Sequence, residues 1–261
     1  MKIPFHHIDA FTGRVFSGNP AGVCFLDSWL DDALLLSIAA ENNLSETAFL
    51  VKRDGFYELR WFSPAIEIDL CGHATLAGAF AIFSHREPAA GSVDFLTKSG
   101  KLSVRRGGEL LFMDFPSRKP TTCGFPVNLA NVLGREPREV LAARDLLVVY
   151  ETEEEIRGLK PEMDGILALE QFAVIVTAPG RKADFVSRFF APKVGVPEDP
   201  VTGSSHCTLV PYWAERLGKR ELHAFQLSAR GGELFCTDRG ERVTIGGRAV
   251  EYLSGELTVP A

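Results

Sequence analysis

Residues 69–83 read "DLCGHATLAGAFAIF", which sets Cys71, Gly72 and His73 directly ahead of an apolar run. Three chemistries suit that spacing. Cys71 could be a nucleophile with His73 as its base. The pair could be half of a metal site. The stretch could instead open a buried helix, whose first N–H groups have no internal partner and favour an anion. A second stretch, "EDPVTGSSHC" (198–207), runs through Thr202-Gly203-Ser204 in the same way. A metal site would have to recruit His206 and Cys207. That spacing matches no known zinc arrangement, and adjacent residues rarely ligate one ion well, so no metal is expected. As a nucleophile Cys71 lacks an identifiable third group, and it reads more simply as a small buried apolar residue. His73, in the first helical turn, is better placed to face a ligand and to handle a proton.

Two carboxylates join the candidates. Glu46, in "NLSETAFLV", falls where a helix ends and a strand begins, among apolar neighbours. Desolvation of a carboxylate at such a place brings it toward the working range of a general base. Asp199 lies just before the second turn. Residue type alone does not single these two out from 34 acidic residues.

The two turns belong to a faint repeat. "RWFSPAIEIDLCGHATLAG" begins at Arg60, and "RFFAPKVGVPEDPVTGSSHCTL" begins 128 residues later at Arg188. Both open with Arg, two aromatics, a small residue and Pro, then run through a short strand and a Gly turn into an apolar helix. The second copy has three extra residues before its Gly. Taken singly, Gly72 and Gly203 are turn punctuation and Ser204 a helix cap. As a repeated pair they predict two helix N-termini facing one bound carboxylate or phosphate.

The elements that must hold these residues follow from periodicity. Strands are expected over "HIDAF", "AGVCFL", "ETAFLV" and "FYELRWF", the last two joined through Asp54-Gly55. A helix is expected from Leu30 to Asn42, capped by Asp27 or Ser28. A second helix, apolar on nearly every face and therefore buried, covers His73 to Phe83. Hairpins turning at Ser99-Gly100 and Gly107-Gly108 join strands near 92–97, 101–105 and 109–115. Later strands are expected near 146–150, 165–169, 172–177, 222–228, 232–236 and 242–245, with a helix over Ser204–Leu217 that Pro211 kinks. The Pro-rich stretch 116–126 marks a boundary. The expected architecture is α+β: two pseudo-symmetric domains, 1–118 and 119–261. Each is a curled, mostly antiparallel sheet around a buried helix, with a small-molecule cleft between them.

Composition narrows the function. The 261 residues carry 28 Lys+Arg against 34 Asp+Glu, a net charge of −6, with no basic cluster, which argues against a nucleic-acid partner. No apolar run is long enough to span a bilayer, and "MKIPFHHIDAF" has no signal-peptide core, so a cytoplasmic protein away from membranes is expected. Five cysteines without a CxxC predict no disulfide framework.

Four motifs in order, "DAFTGRVFSGNPAGV", "NLSETAFL", "RWFSPAIEIDLCGHATLA" and "EDPVTGSS", resemble the PhzF-like family over nearly the whole chain. The resemblance implies the diaminopimelate-epimerase fold, no cofactor, and homodimers. It implies Glu46 as the catalytic acid/base, supported by His73 and Asp199, with Gly72, Gly203 and Ser204 binding polar groups of the substrate. Asn19, in Ser17-Gly18-Asn19-Pro20, matches a segment that shapes the cleft. Related racemases carry a Cys before each turn; here the second turn has Asp199-Pro200-Val201-Thr202, so a two-thiol mechanism fails. The expected activity is cofactor-free acid–base isomerisation of a small, carboxylate-bearing substrate. The competing readings are an epimerase or racemase using Glu46 and a second base such as Asp199, a non-catalytic binding protein, and a Cys71 hydrolase.

Overall fold

Residues 1–259 are described by the structure, a computed structural model, and they divide into two compact units. The first comprises Met1–Asp114 together with residues 246–259, and the second is Phe115–Ile245. In chain order the first unit holds β1 (Lys2–Ala10), β2 (Asn19–Leu26), α1 (Asp32–Asn42), β3 (Glu46–Lys52), β4 (Tyr57–Phe62) and β5 (Glu67–Ile68). α2 (Gly72–His85), β6 (Ser92–Thr97), β7 (Gly100–Gly107) and β8 (Leu110–Pro116) follow. The second holds β9 (Thr121–Thr122), α3 (Leu129–Leu133), β10 (Glu139–Ala142), β11 (Leu146–Val149), α4 (Glu153–Gly158) and α5 (Met163–Leu167). It continues with β12 (Val174–Pro179), β13 (Phe185–Phe190), α6 (Gly203–Leu217), β14 (Glu221–Gln226), β15 (Gly232–Asp238) and β16 (Arg242–Gly247). The last strand, β17 (Ala249–Thr258), returns to the first unit and pairs antiparallel with β1.

The fold class is α+β, and each unit is a curled, mostly antiparallel sheet with a buried helix. The repeat seen in the motifs extends through the strands. β12 and β13 begin 128 residues after β3 and β4, and α6 begins 131 residues after α2, the difference being the three inserted residues. Strand pairings follow one order in both units: antiparallel, parallel, antiparallel, parallel, antiparallel. In the first unit this runs β1–β2, β2–β3, β3–β4, β4–β6, β6–β7. In the second it runs β10–β11, β11–β12, β12–β13, β13–β14, β14–β15.

Burial on both faces explains why β3 reads as an unbroken apolar run rather than an alternation. Phe49 and Val51 point into a core with Leu35 and Ile38 of α1. Leu50, between them, points to the other face, where its Cδ1 lies 3.6 Å from the Cβ position of Gly78 on α2. β12 repeats the device. Val174 and Val176 pack with Leu133, Ile156 and Ile166 of the short helices, while Thr177 on the opposite face accepts a 2.9 Å bond from Trp213 Nε1 of α6.

A matched ion pair braces each unit ahead of its buried helix. Arg60 Nε and Nη2 donate to Glu67 at 2.7 and 2.9 Å, and Arg188 Nε and Nη2 donate to Glu198 at the same two distances. Each guanidinium also lies over an aromatic ring two residues on, Phe62 or Phe190. Arg188 further donates to the carbonyls of Ile156 and Leu159. Its side chain is only 12% exposed, so Arg188→Ala would strand the Glu198 carboxylate and two carbonyls. The expected loss is about 2–3 kcal/mol of stability, less than for a fully buried pair because Glu198 keeps some solvent. Urea denaturation checks this; a change under about 0.5 kcal/mol would reduce the pair to surface decoration.

Several expectations need correction. Residues 246–259 belong with the first unit rather than the second half, because β17 finds its partner in β1; Pro260 and Ala261 lie outside the described residues. The apolar run 165–169 is not a strand. It falls largely within the helix α5, whose Gly165 fits against Val132, and a run that short carries no decisive period. Neither Asp27 nor Ser28 caps α1: its N-cap is Asp31, with no side-chain capping bond. No helix among the described residues is long and apolar enough to cross a membrane.

Candidate functional site

The parallel pairing of β2 with β3 sets Ala21 opposite Glu46, so the start of β2, with Asn19, lies beside the start of β3. α2 packs across β1, β2 and β3 and delivers its first turn to the same place. Glu46, His73 and Asn19 therefore meet in the first unit. His73 Nε2 stands 3.0 Å from Glu46 Oε2, with side chains 7% and 16% exposed. The two atoms form a buried ion pair, and neither has any other hydrogen-bond partner. A buried carboxylate and imidazole held against each other, with the imidazole pKa displaced, mark a place where a proton can be exchanged.

His73 Nδ1 lies 3.2 Å from Asn19 Nδ2 and 3.5 Å from Cys71 Sγ, and Ser45 Oγ donates to Asn19 Oδ1 at 3.0 Å. With its NH2 toward the ring, Asn19 favours Nδ1 as acceptor and leaves the Nε2–H facing Glu46. A hydroxyl both donates and accepts, so Ser45 can follow the amide if it turns over to receive a proton on Nδ1. Burial opposes charge on His73, but the facing Glu46 carboxylate outweighs it and holds the pKa well above the ordinary imidazole value. Because the folded-state pKa exceeds the unfolded one, this pair's stabilisation is fully present below the unfolded value and fades as pH rises through the folded one. Imidazole NMR should accordingly show His73 titrating above the ordinary imidazole range, with the pKa falling in Glu46→Gln. Titration within or below that range would contradict the ion pair.

Burial, then the nearby Glu46 carboxylate, pushes the Cys71 thiol up to about 11. It is a neutral thiol at physiological pH and a weak nucleophile, which counts against the hydrolase reading. Cys71, Glu46 and His73 do present three donor atoms within 4.8 Å of one another, a set that a divalent ion could also use.

The second unit holds the remaining candidates. Asp199 Oδ2 accepts from Thr202 Oγ1 at 2.5 Å. Gln226, wholly buried, donates to Asp199 O and accepts from Thr202 N, which fixes the turn before α6. Gly203 opens α6 after the N-cap Thr202. Neither α2 nor α6 has a side-chain capping bond, and neither has an acid in its first turn. Ser204 is therefore not the cap; its Oγ accepts from Arg144 Nη2 at 3.3 Å. Sequence reasoning missed Ser45, Arg144 and Gln226 as contributors, and no motif points to the last two. His206 is a core histidine. Its Nδ1 lies 2.8 Å from Thr202 O, and burial pushes its pKa down to about 4.

The model of the phenazine biosynthesis-like protein family, PhzC-PhzF, matches residues 8–255. The chain belongs to this family. It is 52% identical to an uncharacterized isomerase of Pseudomonas aeruginosa, over 98% of this chain and 99% of that protein. Among solved structures, a PhzF-family phenazine biosynthesis protein of Enterococcus faecalis superposes with a TM-score of 0.98 at 45% identity, covering 99% of this chain and 100% of that one. A hydroxyproline epimerase of Agrobacterium vitis shares the fold, with a TM-score of 0.59 at 10% identity over 98% of this chain and 91% of its own. Family and fold together support an isomerase or epimerase type of activity.

Proposed function

We propose that the protein is a cofactor-independent isomerase in which Glu46 moves a proton on a small, carboxylate-bearing substrate. The observation that carries this reading is the buried Glu46–His73 pair, 3.0 Å apart, in which neither facing atom has any other hydrogen-bond partner. In the proposed step the Glu46 carboxylate takes a proton from a carbon conjugated to the substrate's carbonyl group. The C–H pair enters the π system, and negative charge builds on oxygen. Glu46, now protonated, returns the proton to a different carbon, so the double bond moves with no net redox change. His73 holds Glu46 in place and offsets its charge. Uncapped N–H groups at the start of α2, beginning with Gly72, suit the developing oxyanion. Asp199, Gly203 and Ser204 are assigned to the same reaction on the family resemblance, as is the homodimer.

Proton NMR in D₂O with a panel of small unsaturated and amino carboxylates tests the reading. A moved double bond with deuterium at the receiving carbon supports isomerisation. Deuterium at a retained, inverted stereocentre would replace it with epimerisation and make Asp199 the candidate second base. Cys71→Ala should keep activity within about threefold, since a neutral thiol supplies neither base nor nucleophile; a loss of a hundredfold would return Cys71 to the chemistry.

A further inference from the structure

At the far end of α2 from His73, about 18 Å away along the helix axis, a second cluster converges. His6 Nδ1 lies 2.7 Å from Glu251 Oε1, and His85 Nε2 lies 2.9 Å from the same oxygen. The two imidazoles stack with centroids 4.3 Å apart. The three residues come from β1, from the last residue of α2 and from β17, so only the folded first unit brings them together.

A β-bulge makes the meeting possible. Along β1 and β17, His7 pairs with Leu253 but Ile8 pairs with Glu251, so Tyr252 is the extra residue. Opposed residues share a face, and His6 shares a face with Ile8. Without the bulge Tyr252 would oppose Ile8 and Glu251 would point away. The extra residue instead turns Glu251 onto the face of His6 and sends Tyr252 against the ring of His7.

We propose that His6, His85 and Glu251 form a binding site for a divalent transition-metal ion of the zinc class. Two imidazoles and one carboxylate are a donor set that zinc accepts as three protein ligands, leaving a fourth position for water. Side-chain exposures of 34% for His85 and 25% for Glu251 give an ion a way in and leave room for that water. The N···O distances are shorter than the roughly 3.3 Å between ligands on a tetrahedral zinc, so small rotations of Glu251 and His85 would open the set around the ion. The carbonyl end of α2 adds negative potential there. Arg86 is the opposing charge nearby, with its guanidinium 4.6 Å from the centre of the Phe25 ring. A bound ion would tie β17, the returning strand, to β1 and α2.

The test uses the full chain freed of metal with a chelator. Zinc titration by calorimetry should give one ion per chain with a Kd in the micromolar range or tighter. Saturating zinc should raise Tm by about 3 °C. His85→Ala, at the exposed helix end, should weaken binding at least about tenfold and abolish the Tm rise; Glu251→Gln should do the same, and circular dichroism checks that each variant folds. Cobalt(II) should bind without a thiolate charge-transfer band, and Cys71→Ala should leave the zinc affinity unchanged. Binding that survives in both His85→Ala and Glu251→Gln, or that vanishes in Cys71→Ala with a thiolate band in the parent, would place the ion on Glu46, Cys71 and His73 and overturn the proposal. A Kd weaker than about 100 μM, some 5–6 kcal/mol, would overturn it too.

Discussion

Glu46→Gln is expected to lower kcat by about 10³-fold, within the 10²–10⁴ range for removing a general acid/base, with little change in the folded state. Gln keeps the shape and can face His73, but it cannot accept and return a proton. The side chain starts β3, whose next five residues, Thr47 to Val51, are buried, so the strand is held by packing rather than by the carboxylate. The loss should therefore appear in kcat and leave KM within a few-fold, because the proton is transferred in the transition state rather than in binding. Rates of double-bond movement and of deuterium entry, measured on the substrate that the D₂O panel identifies, check this. If exchange persists at more than about a tenth of the parent rate, Glu46 is not the base, and Asp199 and His73 become the groups to test.

Gly18→Ala is expected to cost on the order of 3 kcal/mol of stability and to disable the site at the same time. Gly18 has φ +67°, a left-handed conformation that disfavours a side chain. A Cβ there would stand 2.2 Å from the Ala10 carbonyl oxygen and 2.7 Å from Thr12 Cγ2, and the carbonyl belongs to β1 and cannot simply swing aside. Relief would have to come from moving residues 16–19, and Asn19 is the residue that contacts His73 and Ser45. Thermal denaturation should show a Tm several degrees lower, and any folded fraction should show weakened activity. An unchanged Tm with full activity would mean that this segment has slack the geometry does not suggest.

Much of the site's inventory was legible in the chain. Hydrophobic periodicity located α2 and the β3–β4 hairpin, since a buried helix and a turn at Asp54-Gly55 leave local signatures. The repeat beginning at Arg60 and Arg188 predicted two like units, and the strands keep that 128-residue offset. The partners of those arginines were not legible. Glu67 and Glu198 differ in spacing by the three inserted residues, and a carboxylate carries no mark of which guanidinium it will meet.

Fold class, family and the residue types available for proton transfer could be read along the chain, because local pattern and ordered motifs are properties of sequence neighbours. Tertiary structure decided what those residues touch. Glu46 meets His73 because β2 and β3 run parallel in one register beneath α2, and long-range register leaves no trace in a short window of sequence. It also decided that β17 closes on β1 and that a single bulged residue carries Glu251 to His6 and His85. That choice depends on which strand edge the chain's last segment finds, which is a matter of packing between residues some 245 positions apart.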